Sequence, residues 1–467
     1  MELGFETAGN ATLICHDRGP TLVTDPWIVG PAYFGSWTRH HEIPLEQMEI
    51  IGRCGHVWVS HGHPDHLSVD SLKLLRGKKI LLPDHRGGRI YSYLKAEGYD
   101  VQVLTDRTWY TISSNIKVLS IADINQDALL LVDLGGTLII NKNDATDHGW
   151  GRFVRKVARG YRTSFLLSLS GYGDADMFNF FDEDGRRIPP TIKQGAPPGW
   201  RIARAAEFFG AKFFVPFSSM HKYQRRDSIW ANEYITPLTD YPKGFDSRVA
   251  EMLPAFIRYD CVRGTLEEIR PAEVPERVFE PEEFGDDWSI PLEAGEAAEV
   301  REYIRSVSHL ESVVDFINFR VGGKDNFIEF GKGRRKKGIT FEVPRQSLVS
   351  ATRWRIFDDL LIGNFMKTTL HGPWGSGRLY PDFTPYVAKY ADNGLARTQE
   401  ELAAYFDEYR RRAPVEFLRH RLVQQYLNLL DGPISRVRAY LPQDSKVYKW
   451  ARRLYYAGLK RVGTLLP

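Results

Sequence analysis

The chain is poor in cysteine, has no long apolar run and carries almost no net charge. Its three cysteines, Cys15, Cys54 and Cys261, are odd in number and share no metal or redox spacing. That excludes a cysteine-built zinc or iron–sulfur site and fits a reducing compartment. No apolar stretch approaches the ~18–20 residues needed to span a bilayer. The opening MELGFETAGN has neither the basic segment nor the apolar core of a secretory signal, so a cytoplasmic location is expected. A net charge of +3 is too small to imply a nucleic-acid partner. No internal repeat stands out. What is there is an ordinary globular composition, 43% hydrophobic and 26% charged, in a chain long enough for two domains.

The first half reads as short apolar runs alternating with turns and helical stretches. ATLIC and TLVTD flank the turn His16–Pro20 as a hairpin, and ALLLVDL joins TLIIN through Gly135-Gly136 as another. GHVWVS, KKILLP, NIKVLSI and KFFVPF read as further strands, and WRIARAAEFFGA has helical spacing. The pattern predicts a layered α/β domain over residues 1–265. Residues 266–295 are acidic and proline-bearing, as expected of a linker or surface excursion. Residues 296–467 read as a smaller α+β domain ending in a basic amphipathic helix, KVYKWARRLYYAGLKRV. The apolar face of that helix is expected to pack on its own domain or on a second copy of the chain; contact with an anionic membrane surface is the alternative.

The chemistry concentrates in VSHGHPDHLS, where His61, His63, Asp65 and His66 fall within six residues after a buried strand. Gly62 and Pro64 make this a loop, which can converge closely spaced side chains. Imidazole and carboxylate are ligands for zinc, iron and manganese. Four donors in so short a loop exceed what one ion usually takes, which points to two adjacent ions.

His-x-His-x-Asp-His after a buried strand resembles the signature of the metallo-β-lactamase superfamily. Other segments resemble that family in order: GNATLICHDRGPTLVTDPWI its opening hairpin, TLIINKNDA the strand ending in a bridging aspartate, and KFFVPFSSMHKY the strand delivering the last histidine. The resemblance covers roughly residues 1–240 and implies a four-layer αββα sandwich. It implies that His61 and His63 bind one ion, that Asp65, His66 and His221 bind the other, and that Asp144 bridges them. Asp65 and Asp144 are thereby the catalytic carboxylates, and Asp25 is an outer carboxylate supporting the ligands. Many relatives have Gly-His where this chain has Gly9-Asn10, so no catalytic role falls to Asn10.

Zinc hydrolases of the superfamily place a further histidine between the cluster and the bridging aspartate. Here the stretch reads LSIADINQDALLLV, with Asp123 at that position and Asp127 as a competing choice; His85 comes too early. A carboxylate there favours iron or manganese over zinc. The phrases NKND and VPFSSMH…NEYITP also resemble the metallo-β-lactamase-like domain of CMP-N-acetylneuraminate hydroxylases. Those enzymes carry a Rieske domain, for which these scattered cysteines supply no ligands. The implied activity is a di-iron, O2-dependent oxygenase acting on a polar, sugar- or nucleotide-linked metabolite, with electrons from a separate reductase. A dinuclear zinc hydrolase of an ester, amide or phosphate bond is the alternative.

Lesser candidates are His148, four residues past Asp144, the rim histidines His40 and His41, and the acid–aromatic loop holding Asp174 and Asp176. The basic run KGRRKK, residues 332–337, suits a solvated turn or a phosphate contact. DDLLIGNFMKTTLHG yields no chemistry by itself and is expected to dock against the pocket mouth.

Overall fold

The computed structural model describes residues 1–145, 150–169, 179–190, 197–331, 337–375, 378–380, 382–390, 394–419 and 421–422. His148, Asp174, Asp176, the first five residues of the basic run and the expected C-terminal helix lie outside them.

Two sheets face each other. The first is eight-stranded, in the order Thr265–Glu268, Ile257–Asp260, Leu3–Ala8, Thr12–Asp17, Pro20–Thr24, His56–Trp58, Lys79–Pro83 and Asp100–Leu104. The second is seven-stranded, in the order Glu251–Met252, Phe213–Pro216, Thr163–Ser168, Thr137–Asn143, Ala128–Leu134, Ile116–Ala122 and Trp109–Thr111. Both expected hairpins form as antiparallel pairs. The tight turn at Gly135 and Gly136 needs positive φ at both positions, and they adopt 57° and 94°.

The apolar runs are continuous because both faces of each sheet are covered. In Ala128–Leu134, Leu130 and Val132 point between the sheets, while Leu129 and Leu131 point outward. The outward set packs on the helices Gly151–Ala158 and Pro198–Phe209. The outer face of the first sheet is covered by Leu45–Arg53, Val69–Leu74 and Arg89–Ala96. Helix, sheet, sheet, helix is the αββα sandwich.

The C-terminal half builds a five-stranded sheet, ordered Phe180–Phe181, Lys367–His371, Gly338–Glu342, Phe316–Val321 and Lys324–Glu329. Its edge strand at Phe180 comes from the first half of the chain, so the two halves share a sheet. The helix Gln399–Arg412 returns to the sandwich, where Tyr405 and Tyr409 pack with Ala122 and Ile124. The acidic stretch 266–295 is laid along the first half. Glu273 bridges to His41, Phe279 bridges to Arg225, and buried Asp286 pairs with the buried Arg225 at 2.8 Å.

Candidate metal centre

The histidine loop sits where parallel strands of both sheets end, the usual place for a site in α/β folds. Asp25 follows Pro20–Thr24, His61 follows His56–Trp58, Asp144 follows Thr137–Asn143, and Ser218 to His221 follow Phe213–Pro216. Several loop residues around it lie in the left-handed backbone region that non-glycine residues seldom adopt: Asp25 (φ 41°), Tyr33 (50°), Asn143 (38°), Ser218 (70°) and Ser219 (54°). Such strain persists where surrounding contacts over-determine it, and it clusters at functional sites.

Those contacts are specific. One oxygen of Asp25 accepts from the Ser60 backbone N–H at 2.7 Å, and the other faces His66 Nδ1 at 3.1 Å. The second nitrogen of His66 is thereby turned inward. His85 supports the loop from behind through the Ser60 carbonyl, 3.0 Å from its Nε2. Asn10 donates to Asp65 Oδ2 at 2.9 Å, and its own oxygen accepts from the Met220 backbone N–H at 2.7 Å. It therefore ties the cluster to the strand that carries His221. Tyr33 donates to the other oxygen of Asp65 at 2.6 Å.

His61, His66 and Asp144 each offer a donor atom within 4.8 Å of the others. His61 Nε2 faces His63 Nδ1 at 2.9 Å, and His66 Nε2 lies 3.5 Å from Asp65 and 3.4 Å from Asp144. The last two are charge contacts without hydrogen-bond geometry. Among the described residues, His66 Nε2 and both ring nitrogens of buried His221 have no hydrogen-bond partner. A buried polar atom left so is costly unless something else fills the position. His221 lies flat on Trp37, with ring centroids 3.3 Å apart, and the Asp144 charge acts on it. His66 Nε2, unpartnered and facing two carboxylates, makes with His61 and Asp144 a donor set that fits a metal ion.

The imidazoles divide into two that stay neutral and two that hold a proton more tightly. Burial holds His61 and His221 neutral, well below the usual imidazole range. Burial also disfavours the cationic forms of His63 and His66, yet nearby carboxylates prevail. Asp358 pushes His63 up to about 10, and Asp65 and Asp144 raise His66. Burial raises the Asp144 carboxyl, but His66 and a hydrogen bond from Ser218 bring it down to about 2.

Asp123 and Asp127, the two acids weighed for the third position, are placed differently. Asp123 turns Oδ1 back onto the backbone N–H groups of Asn125 (2.7 Å) and Asp127 (3.2 Å), closing its own loop. The residue four positions on, Asp127, brings Oδ1 to 3.9 Å from His61 Nε2. Burial pushes the Asp127 carboxyl up to about 6.

The segment DDLLIGNFMKTTLHG, expected at the pocket mouth without any chemistry, brings acids to the histidine loop. Asp358, on the short helix Phe357–Ile362, lies 3.5 Å from His63 Nε2, and Asp359 beside it is also buried. Buried Lys389, brought down to about 8 by burial, is opposed in that shift by the charges of Asp123 and Asp127. The adjacent acids Asp358 and Asp359 in an apolar run were the one available signal. His40 and His41 form a group of their own with Glu273, Nδ1 to Nδ1 3.1 Å, and the His40 backbone N–H donates to the Met220 carbonyl beside His221 at 2.9 Å.

The layer order together with this histidine loop defines a metallo-β-lactamase-like fold. No family model matches the chain. It is similar to the cytidine monophosphate-N-acetylneuraminic acid hydroxylase of Xenopus laevis, 28% identical over 165 residues, which is 32% of this chain and 28% of that protein. The inactive human form matches equally, over 33% of its length. The chain thus spans about a third of the length of these relatives. Among solved structures it is similar to CmlA, a diiron β-hydroxylase from Streptomyces venezuelae, at TM-score 0.34 and 15% identity, covering 47% of this chain and 45% of that one. A possible metal-dependent hydrolase from Veillonella parvula matches at TM-score 0.38 and 13% identity, covering 58% of this chain and all of that one.

Proposed function

We propose that the chain is a dinuclear metalloenzyme that uses iron and O2 to oxidise a polar, sugar- or nucleotide-linked small molecule. In this reading His61, His63 and Asp127 hold one ion, Asp65, His66 and His221 hold the other, and Asp144 serves both. Two neighbouring cations need a shared anion to offset their repulsion, and Asp144 stays ionised across the ordinary pH range. When bound, iron supplies the one-electron chemistry toward O2 that no side chain provides.

The residues themselves do the rest. Asn10 and Tyr33 fix both oxygens of Asp65, so that one lone pair on each remains for an ion. Asp25 fixes which nitrogen of His66 faces inward. Burial of His61, Asp65, His66 and His221 keeps bulk water from the inner face of the site.

The observation that carries the choice of iron is Asp127 beside His61, a hard oxygen donor where a zinc hydrolase has a nitrogen. The hydroxylase relatives support the same direction. Dinuclear zinc hydrolysis of an ester, amide or phosphate is the second reading, favoured by the two imidazoles that burial keeps neutral. Electrons for an oxygenase come, in this account, from a separate reductase. Metal analysis of protein purified without a nickel column, with an absorption spectrum in air, decides between the readings. Iron near two per chain with charge-transfer bands supports the oxygenase; colourless protein with two zinc ions supports the hydrolase.

A further inference from the structure

We propose that Asp358, supplied by the C-terminal half, is the positioning residue that holds His63 with Nδ1 turned toward the candidate metal site. The inference rests on the dinuclear reading above and adds to it a dependence on the docking of the two halves.

A neutral imidazole has one nitrogen that carries hydrogen and one that can ligate, and its hydrogen-bond partner chooses which. His63 Nδ1 faces His61 Nε2 at 2.9 Å. The edge of a tetrahedral site with ~2.0–2.1 Å metal–nitrogen bonds is about 3.3–3.4 Å, so a small separation of the rings lets both nitrogens reach one ion. The opposite nitrogen, Nε2, points at Asp358 Oδ2, 3.5 Å away. An ionised carboxylate only accepts, so it selects the tautomer with hydrogen on Nε2 and the lone pair on Nδ1. The distance is long for a hydrogen bond, but well within the range over which the carboxylate charge orients the ring.

Asp358 is not free to drift. Its neighbour Phe357 is buried among Phe319, Phe341 and Phe383, with ring centroids 5.1 to 6.4 Å away. The residues that follow its helix are tied to the first half. Ser36 donates to the Gly363 carbonyl at 2.6 Å, and Asn364 donates to the Tyr223 hydroxyl at 2.9 Å. The Arg225 guanidinium lies 4.1 Å over the Phe365 ring. These contacts bring in an acid 295 positions away in sequence and set it behind His63.

The test titrates Co2+ into the metal-free full-length chain and follows its ligand-field absorption, with Asp358→Leu, Asp358→Ala and Asp358→Asn compared against wild type. With affinities corrected for the protons each ion displaces, counted in buffers of different ionisation heat, the expected result for Leu and Ala is one ion bound as before and the other weakened ~10–100-fold, the usual loss when an outer partner of a ligating histidine is removed. Asparagine keeps an oxygen acceptor and is expected to recover most of that loss. Two ions bound by the Leu or Ala variant at unchanged affinity overturn the proposal. So does an equal weakening of both ions together with a lower melting temperature of the metal-free variant, which marks a purely structural role. Wild-type chain that binds no Co2+ overturns the dinuclear reading itself, a separate failure.

Discussion

Replacing Asp127 and Asp123 one at a time separates a metal donor from a loop-closing acid. Asp127→Ala removes the carboxylate 3.9 Å from His61 Nε2. Losing an outer partner already lowers metal affinity ~10–100-fold. Loss of a donor facing the ion is expected to reach at least the upper figure, about 2.8 kcal/mol. The fold is expected to tolerate it, since Asp127 bonds the loop through its backbone. Asp123→Ala does the reverse. It strips the acceptor from two backbone N–H groups, at 2.7 and 3.2 Å, and at roughly 1 kcal/mol net per bond the cost is about 2 kcal/mol. That corresponds to a fall in melting temperature of up to about 4–8 °C, reduced because the unpartnered, buried Asp123 Oδ2 goes with it. Calorimetric metal titration and thermal unfolding of the metal-free protein read the two effects independently. An Asp123→Ala chain that loses an ion while Asp127→Ala keeps both would refute this assignment.

Three further expectations follow from the charges. In the metal-free chain His63, pushed up to about 10 against the effect of burial, chiefly by Asp358, is an imidazolium at neutral pH, and Asp65 and Asp144 raise His66 in the same direction. An ion must displace the extra proton of His63, so loading near pH 7 is expected to release at least one proton and affinity to rise with pH; calorimetry in buffers of different ionisation heat counts them, and release of none contradicts the charge assignment. Buried Glu6, first opposed by burial but held by His16, Gln47 and Arg258, is brought from 4.5 down to about 2. A lowered carboxyl stabilises the fold above its unfolded pKa, and that stability is lost as pH falls toward the folded value; the ceiling is about 3 kcal/mol. Denaturant unfolding between those two pH values should show the wild type losing its advantage over Glu6→Gln, and parallel curves would count against it. Asp286→Ala leaves buried Arg225 with Asp227 and the Phe34 carbonyl and strips the acceptor from Ser347. Breaking such a pair costs about 3–5 kcal/mol, so an unchanged melting temperature contradicts the role given to this contact.

Much of the sandwich was legible because its signals are local. An apolar run with a Gly-Gly turn specifies a hairpin, and His61 to His66 declare themselves by density alone. Asp25 and Asp144 could be placed because each ends a readable strand. Asp123 and Asp127 could not be told apart, since they stand at the two ends of the turn joining Ile116–Ala122 to Ala128–Leu134 and the choice depends on which way one side chain turns inside that five-residue loop. Tyr33 was invisible for a related reason: a positive φ in an irregular segment aims its hydroxyl, and no periodicity encodes that. The acids Asp358 and Asp359 were visible as residues but not as neighbours of His63, because their placement depends on the packing of the two halves. The stretch 266–295 reads as a linker by composition, yet its acids find buried or paired cations, Asp286 on Arg225 and Glu273 on Lys222. Composition cannot reveal that pairing.

The central claim is that separate segments of the chain hold a pair of neighbouring cations, and anomalous diffraction from metal-loaded crystals tests it most directly. The account predicts two peaks about 3.5–4 Å apart, one against His61 and His63, the other against His66 and His221, with Asp144 between them. A single peak at the His40–His41 rim, or none within reach of Asp144, would contradict it.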